Sequence, residues 1–403
     1  MDTITRETSL RLQSNDDACY LFDEQELISN IRNMQMAFGS SYKKFQLAYS
    51  FKTNYLARIC KTMMWQGCMA EVVSPEEYKY ARLLGFDPEK IIFNGVAPDF
   101  ELKYAAAKRG AMVNVDNYGE LLRIVRIAEV NGEEIKLGVR VNFPISNGLV
   151  SRFGIDVDSQ EFKKTMVLLN TNRYVKFSGF HCHIGSARPV KFWEEKAARM
   201  AELAEQFGAE YVDLGGGLYG PMIASLSAQF DGYEGKYNGY AYRISEQMKR
   251  HFPDEDCLLI IEPGTALVGN TMMMAATVTN VKEVRGKTFV TVNANSNQLG
   301  VISDMKELPT EVIHCSKPMS DRVYAKHATV CGNTCLEYDY LARDFNGLVT
   351  VGDRILFKNV GAYSISSSRQ FIVPRPAVRE ASTFETLRTA ENVTDVFGKY
   401  LDA

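Results

Sequence analysis

Four short polar segments, each of which closes an apolar run, carry the residues that could do chemistry. Lys52 follows the run 46–51, His183 ends 177–183, a glycine triplet follows 211–214, and Glu262 ends 258–262. A lysine amine in a partly desolvated site has a lowered pKa and is a nucleophile. Glycines let backbone amides approach a phosphate, and a carboxylate at the end of a very apolar run needs a partner. We expect these groups to converge on one active site.

The elements that must position them are short strands alternating with longer segments of helical period between residues 22 and 262. Eight such strand and helix units in series predict a parallel (β/α)8 barrel, with a doubly wound open sheet as the alternative. The active site of such a barrel lies at the carboxyl ends of its strands. The predicted strands are 46–51, 68–73, 90–94, 111–115, 136–142, 177–183, 211–214 and 258–262.

After Pro263 the pattern changes to strand-like runs separated by turns, which predicts an antiparallel, barrel-like β-sheet domain. We therefore divide the chain into a barrel at 22–264 and a sheet domain formed by 1–21 together with 265–403. The runs predicted as strands in the second domain are 272–281, 288–292, 310–314, 327–330, 354–358 and 364–373.

Composition excludes several classes of function for this α/β chain of 403 residues. The formal net charge is −3 and the pI about 6.1, with no basic stripe, so we expect no nucleic acid or membrane partner. The polar start and the lack of a run near the roughly 20 residues that span a bilayer lead us to expect a cytoplasmic protein. The eight scattered cysteines are typical of reduced thiols. Adjacent residues in His181-Cys182-His183 point to opposite faces of a strand, so we expect no metal site.

The order of the motifs resembles that of the pyridoxal-phosphate-dependent ornithine and diaminopimelate decarboxylase family, which is built on the alanine-racemase-type barrel. The matching segments are Ser50-Phe51-Lys52, His181-Cys182-His183-Ile184-Gly185-Ser186, Asp213-Leu214-Gly215-Gly216-Gly217, Ile261-Glu262-Pro263-Gly264, Cys331-Gly332-Asn333-Thr334-Cys335 and Gly361-Ala362-Tyr363. The resemblance spans residues 22–363. It implies pyridoxal phosphate as cofactor, a homodimer with shared active sites, and an amino acid as substrate.

The resemblance also implies a role for each matching residue. Lys52 bonds covalently to the cofactor, Glu262 holds the pyridine nitrogen protonated, and His183 stacks on the ring. Cys335 is the catalytic cysteine that reaches the partner's site and delivers a proton to the substrate carbon. The other implied cofactor contacts are Glu71 beside the ring, Arg152 as a supporting arginine, Gly264, and, at the phosphate, Ser186, Gly215, Gly216, Gly217 and Tyr363.

The chain departs from the family at the substrate end. The arginine that usually follows Glu-Pro-Gly is Thr265, and the region 293–306 has no Arg-Pro-x-Leu-Tyr stretch. The acid near Cys335 is displaced to Glu337. Cys335, Glu337 and Asp304 are the candidate substrate contacts. These changes leave the cofactor end intact, so they predict a decarboxylase with an altered substrate pocket.

Two other functions fit parts of the pattern. An amino-acid racemase of the same fold uses a tyrosine in the sheet domain as its second base, whereas the Cys335 segment resembles the decarboxylase pattern. A catalytically inactive regulator would have no need of Lys52, His183, Glu262 and Cys335. The sequence therefore favours a pyridoxal-phosphate-dependent amino-acid decarboxylase.

Overall fold

The computed structural model describes residues 6–300, 306–315 and 317–401. Its strands fall into two sheets. In chain order they are β1 (Cys19–Phe22), β2 (Phe45–Ser50), β3 (Met69–Val72), β4 (Ile91–Phe93), β5 (Met112–Val115), β6 (Ile135–Asn142), β7 (Ile155–Asp156), β8 (Val175–His181), β9 (Tyr211–Asp213), β10 (Leu258–Ile261), β11 (Met272–Val284), β12 (Lys287–Val292), β13 (Thr310–Ile313), β14 (Val323–Cys331), β15 (Tyr340–Val349), β16 (Arg354–Lys358), β17 (Ala377–Glu380) and β18 (Thr386–Arg388).

Most helices follow barrel strands and pack their apolar faces on the outside of the barrel. Several begin at a residue whose side chain accepts a backbone N–H, such as Ser74 and Asn117, and some end at a left-handed glycine such as Gly208. The helices are α1 (Arg6–Gln13), α2 (Glu24–Gly39), α3 (Ala57–Trp65), α4 (Pro75–Leu84), α5 (Phe100–Lys108), α6 (Tyr118–Asn131), α7 (Gln160–Thr171), α8 (Val190–Phe207), α9 (Ala224–Ser227), α10 (Tyr237–His251), α11 (Thr265–Val268) and α12 (Val393–Phe397). None of the described helices is long and apolar enough to cross a bilayer.

The first sheet closes into the predicted barrel of eight parallel strands. Its ring runs β2, β3, β4, β5, β6, β8, β9, β10 and back to β2, with the short β7 paired outside the ring to β6. Each of the eight predicted strands is present with ends within two residues of the prediction. Closure brings the carboxyl ends of all eight strands to one rim, so residues far apart in sequence become neighbours.

The cluster of side chains inside the barrel contains one large aromatic residue, Tyr211, which packs with Met69, Ile92 and Ile260. Tyr211 is buried, and its hydroxyl donates to Asn114 Oδ1 at 2.6 Å. A Cβ on Gly138 would lie 1.9 Å from the Tyr211 hydroxyl, and one on Gly179 would lie 2.6 Å from its ring. Glycine at both positions therefore makes room for the tyrosine, which closes the barrel below the rim.

The second sheet contains β11 to β18 together with β1 from the start of the described chain. Most of its pairings are antiparallel, as predicted, but β1 with β17 and β12 with β14 are parallel, so the sheet is mixed. The strand predicted at 364–373 is wrong, since this segment has only an isolated bridge between Phe371 and Val373. Serine hydroxyls there bond to local carbonyl groups instead, for example Ser367 Oγ to Tyr363 O at 2.5 Å.

The sheet domain contributes one loop to the rim of the barrel. The Tyr363 N–H donates to Thr53 O at 2.8 Å, and Asn54 Nδ2 donates to Gly361 O at 2.8 Å. A Cβ on Gly361 would lie 1.7 Å from Val268 O, so only glycine permits this close approach. These contacts fix Tyr363 directly beside the turn that carries Lys52.

Candidate active site

Lys52 lies in a 3-10 turn (Phe51–Thr53) that follows β2. Its Nζ donates to Glu71 Oε2 at 2.7 Å and to Ser50 Oγ at 2.7 Å, and 36% of its side chain is exposed. Burial lowers the pKa of Lys52, but Glu71 and Glu262 outweigh that effect and hold the pKa above its ordinary value. The lowered pKa expected from the sequence is therefore wrong for the free amine, which is protonated at neutral pH.

Glu71, the third residue of β3, is buried and shares a hydrogen-bond donor with Glu262. Asn94, which follows β4, donates from Nδ2 to Glu71 Oε1 at 3.2 Å and to Glu262 Oε1 at 2.6 Å. Asn114 Nδ2 donates in turn to Asn94 Oδ1 at 2.8 Å, which orients the Asn94 amide toward the two carboxylates. This series of hydrogen bonds therefore runs from Asn114 in the barrel interior through Asn94 to the two carboxylates at the rim.

Glu262 follows β10 and belongs to a cluster of three buried titratable groups. His181 Nε2 lies 3.3 Å from Glu262 Oε2, and the nearest ligating atoms of His181, Glu262 and Asp213 all lie within 4.8 Å of one another. Burial and the Glu262 charge raise the pKa of Asp213 well above its ordinary value. Burial opposes ionisation of Glu262, but His181, Asp213 and Lys52 outweigh it and hold its pKa below the ordinary value. The two pKa shifts run in opposite directions, so within the pair the proton favours Asp213 and the negative charge favours Glu262.

His183 lies two residues beyond the end of β8. The Gly216 N–H donates to His183 Nδ1 at 3.0 Å. Burial, with the nearby charges of Lys52 and Lys196, lowers the pKa of His183 well below its ordinary value. Because Nδ1 is an acceptor and the ring is neutral, its proton is on Nε2.

The glycine triplet wraps around His183 and the end of β10. Gly215 has a φ of 64° and Gly217 a φ of 108°, in the left-handed region that favours glycine. A Cβ on Gly215 would lie 2.8 Å from His183 Cβ, and one on Gly216 would lie 2.3 Å from Glu262 O. The triplet is therefore required by close packing as well as by backbone conformation.

Lys196, from α8, lies beneath this loop. Its side chain is buried, its Nζ donates to Leu214 O at 2.6 Å, and it sits 3.5 Å from the Trp193 ring centroid. Burial lowers the pKa of Lys196 to about 8. This contact anchors the residue that precedes the triplet and so holds the loop against the barrel.

Two adjoining cavities open at the rim, and Lys52, His183 and Glu262 line both. The larger cavity has a volume of about 310 Å³ and the smaller about 140 Å³. Of the other predicted cofactor contacts, the larger cavity is lined by Glu71 and Arg152, and the smaller by Ser186, Gly216, Gly217, Gly264 and Tyr363. Gly215 lies behind the smaller cavity, where its N–H donates to Asp213 Oδ1 at 2.9 Å.

Arg152 and a second arginine, Arg140, both lie over the ring of Phe153. Sequence reasoning did not single out Arg140. The Arg152 and Arg140 guanidinium carbons lie 3.9 Å and 4.6 Å from the centroid of Phe153. Arg140 is buried, lies 3.4 Å from Asp116 Oδ1, and donates to His183 O at 3.3 Å. Arg140 therefore ties the loop after β6 to the His183 segment, while Arg152 is exposed at the mouth.

Cys335 and Glu337 line neither of these cavities. Both are exposed in the loop between β14 and β15, next to Tyr338, which is 79% exposed. Asp339 braces this loop by accepting hydrogen bonds from Ser296 N at 2.7 Å and Thr334 Oγ1 at 2.6 Å. Asp304 lies outside the described residues.

The residues that sequence reasoning missed at this site all lie at or near the end of a strand, which is the signal that could have identified them. Their importance comes from the partners that barrel closure gives them. They are Ser50, Asn94, Arg140, His181 and Asp213.

Comparison with known proteins matches the chain to a family through most of the barrel. Residues 25–269 match the model described as the pyridoxal-dependent decarboxylase, pyridoxal binding domain. The diaminopimelate decarboxylase of Methanothermobacter thermautotrophicus is 29% identical over 410 residues, covering 93% of this chain and 91% of that protein. The match therefore extends over the sheet domain as well.

Solved structures agree in fold. The diaminopimelate decarboxylase of M. jannaschii in co-complex with L-lysine superposes with a TM-score of 0.84 at 26% identity, covering 98% of this chain and 94% of that chain. The arginine decarboxylase of Paramecium bursaria Chlorella virus has a TM-score of 0.74 at 19% identity, covering 91% and 96%. The second likeness concerns the fold alone.

The rim fits pyridoxal phosphate in its donor groups and its shape. An amine and a carboxylate, from Lys52 and Glu262, line the same pair of cavities. The hydroxyl Oγ1 of Thr53 is buried without a hydrogen-bond partner in the described residues, and Thr53 lines the smaller cavity beside the glycine amides. The chain therefore belongs to the pyridoxal-dependent decarboxylase family and is an amino-acid decarboxylase whose cofactor is pyridoxal phosphate.

Proposed function

We propose that this decarboxylase acts at the α-carbon of an amino acid other than meso-diaminopimelate, and that two chains share each active site. The observation that carries the proposal is that Lys52, His183 and Glu262 line the same two cavities, while Thr265 stands where the family has an arginine. The curated relatives are diaminopimelate decarboxylases. We propose that this chain retains their reaction and differs in substrate.

The proposed cofactor contacts divide between the two cavities. Lys52 would form the covalent link, and Glu71 and Arg152, which line the larger cavity, would contact the ring. In the smaller cavity, the amides of Gly216 and Gly217 and the side chains of Ser186 and Tyr363 would hold the phosphate, with Gly215 and Gly264 shaping the backbone. When bound, pyridoxal phosphate supplies the sink for the electron pair that remains as carbon dioxide leaves.

The protein residues set the charges around that centre. Ionised Glu262, held by Asn94 at 2.6 Å, keeps the pyridine nitrogen protonated. His183 is neutral and presents a ring face without adding a positive charge. The side chains of Asp213 and His181 support the Glu262 carboxylate from behind.

We propose that the proton delivered to the α-carbon comes from Cys335 of the partner subunit. Within one chain, Cys335 lines neither cavity and is exposed together with Glu337. The same loop exposes Leu336 by 47% and Tyr338 by 79%, which is typical of a surface that a second subunit covers. These features support a homodimer in which the loop completes the other chain's site.

We also propose that the protein works in a reducing compartment such as the cytoplasm. All eight cysteines are free, and five of them are buried. Free buried thiols are typical of proteins that fold where disulfides do not persist.

The test is a screen of carbon dioxide release from free amino acids of both configurations, with Lys52→Ala as the negative control. Solvent deuterium exchange at the α-carbon is followed in parallel. We expect carbon dioxide from at least one amino acid and none with the variant. Exchange without carbon dioxide would favour the racemase, and a wild-type protein that binds no pyridoxal phosphate would favour the inactive regulator.

A further inference from the structure

A third cavity, which we call the side chamber, adjoins the smaller cofactor cavity. The two cavities share Arg188, Thr265 and Tyr363 as lining residues. The side chamber has a volume of about 200 Å³, and neither Lys52 nor Glu262 lines it. Because a complete small-molecule site is usually about 300–1,000 Å³, the side chamber is sized for one part of a ligand that extends from the cofactor cavity.

Two cations line the side chamber, and their partners there are uncharged. Arg188 Nη1 lies 3.5 Å from Leu218 O, and its guanidinium carbon lies 5.8 Å from the Tyr219 ring centroid. Lys306 Nζ donates to Gln229 O at 2.5 Å and lies 4.9 Å from the Phe230 ring centroid. In the ranges that the structure describes, neither cation forms an ion pair with a carboxylate. The side chamber is therefore suited to an anion and unfavourable to a substrate ammonium group.

A buried amide oxygen provides a second and independent indication of a ligand. Asn359 is 6% exposed and lines the side chamber. Its Oδ1 is buried and accepts no hydrogen bond from the described residues. A buried carbonyl oxygen is normally paired, so a ligand that donates an N–H or O–H at this point satisfies it.

Much of the remaining wall, among the described residues, is apolar. Tyr219 and Phe230 pack edge to face with ring centroids 5.8 Å apart, and Pro221 and Met222 lie beside them. Such walls accommodate methylene groups but add no charge. A ligand that complements the two cations, the unpaired amide oxygen and the apolar side chains has a terminal anion, one hydrogen-bond donor and an aliphatic spacer.

We infer that the substrate is an α-amino acid whose distal amine is acylated by a dicarboxylic acid, so that an amide N–H and a terminal carboxylate enter the side chamber. This inference rests on the proposed function. Arg188 and Lys306 bind the carboxylate, Asn359 Oδ1 accepts from the amide N–H, and the aromatic walls cover the spacer. Acylation also removes the distal ammonium charge that would face the two cations.

The experiment compares three probes on the holoenzyme by titration calorimetry and by carbon dioxide release. They are Nε-succinyl-lysine, Nε-butyryl-lysine, which has the same acyl length without the carboxylate, and lysine, each in both configurations. We expect the succinyl compound to bind about tenfold or more tightly than the butyryl compound. Equal binding of the two acyl compounds would overturn the inference.

Variants assign this preference to the side chamber. Lys306→Met should remove most of the preference for the succinyl compound and leave butyryl binding nearly unchanged. Arg188→Met should also reduce this preference, and Arg188→Lys should retain more of it than Arg188→Met does. Lys191→Met is the matched control, because Lys191 also lies over a phenylalanine ring, at 4.8 Å, but lines none of the three cavities. Equal losses in Lys306→Met and Lys191→Met would contradict the assignment. Thermal melting of each variant confirms folding.

Asn359→Leu tests the hydrogen bond separately. It should weaken both acyl compounds by a similar factor and leave the preference for the succinyl compound unchanged, since both present the same amide N–H. A variant that binds all three probes as the wild type does would contradict this role.

The failure of this inference and the failure of the proposed function have different signatures. Succinyl binding that depends on Arg188, without carbon dioxide from any probe, would retain the side chamber and overturn the proposed reaction. Carbon dioxide release from lysine with no preference for the succinyl compound would retain the reaction and overturn the side chamber.

Discussion

Asn94 donates a hydrogen bond to Glu262 at 2.6 Å and a second, from the same nitrogen, to Glu71 at 3.2 Å. One neutral amide thus holds two buried acids at the rim of the barrel. Because Glu71 also pairs with Lys52, this amide links the proposed covalent attachment point to the proposed partner of the pyridine nitrogen.

We predict that Asn94→Leu lowers kcat/KM by about ten to a hundredfold, because hydrogen bonds to charged groups contribute roughly 1.5–3 kcal/mol. Asn30→Leu is the matched control, since Asn30 is a buried amide that donates to Leu267 O and lines none of the three cavities. Steady-state kinetics of both variants decide the matter. Equal losses would mean that Asn94 acts only through barrel packing.

The pH dependence of cofactor loading follows from the Lys52 and Glu71 ion pair. Glu71 raises the pKa of Lys52, so the neutral amine needed for covalent attachment forms only as pH rises. We predict that loading of cofactor-stripped protein accelerates with pH, and that Glu71→Gln moves the midpoint to lower pH. Stopped-flow absorbance of the lysine-bound cofactor measures both. Glu76→Gln, on the exposed side of α4, should leave the midpoint in place. A Glu71→Gln midpoint at or above that of the wild type would contradict this assignment.

Glu262 and Asp213 should respond differently to removal of their charge. The pKa of Glu262 is lowered and that of Asp213 is raised, so the negative charge of the pair favours Glu262. We predict that Glu262→Gln lowers turnover about a hundredfold or more with a much smaller loss of cofactor affinity. Asp213→Asn should keep turnover close to that of the wild type, because it replaces a neutral group by another of similar shape. The reverse order would reassign the proton within the pair.

Mixing two inactive variants tests the shared active site. In a mixed dimer of Lys52→Ala with Cys335→Ala, one site receives intact Lys52 from one chain and intact Cys335 from its partner. We predict recovery of about one quarter of the wild-type activity after random exchange of subunits. Lys52→Ala mixed with Glu262→Gln should recover nothing, since both residues belong to the same chain's site. No recovery in the first mixture after verified exchange would place Cys335 outside the reaction.

Specificity against meso-diaminopimelate is the last prediction. Thr265 lines both the smaller cofactor cavity and the side chamber at the position where the family has an arginine. In the region 293–306, Val301 and Met305 stand where the Arg-Pro-x-Leu-Tyr stretch of the family has its arginine and tyrosine, and both lie outside the described residues. We predict that kcat/KM for meso-diaminopimelate is on the order of a thousandfold below that for the preferred substrate. Thr265→Arg should raise it and Thr265→Val should not. A clear wild-type preference for diaminopimelate would overturn the altered pocket.

The barrel could be predicted from sequence because its signals are local. Eight apolar, β-branched runs separated by segments of helical period identified the strands to within two residues. The sheet domain was harder, since β1, β15, β17 and β18 were missed and a strand was wrongly expected at 364–373. Its sheet is mixed, and it pairs β1 with β17, which lie near opposite ends of the sequence. No local sequence pattern specifies such a long-range pairing.

The sequence by itself determined which residue types stand at the carboxyl ends of the strands, and hence the kind of chemistry that the rim can support. Only the tertiary structure decided which of them meet, because Asn94 and Glu262 are neighbours through ring closure and not through spacing. Tertiary structure also decided the charge states. Lys52 keeps its proton because barrel closure places Glu71 and Glu262 near it, whereas burial alone would have lowered its pKa.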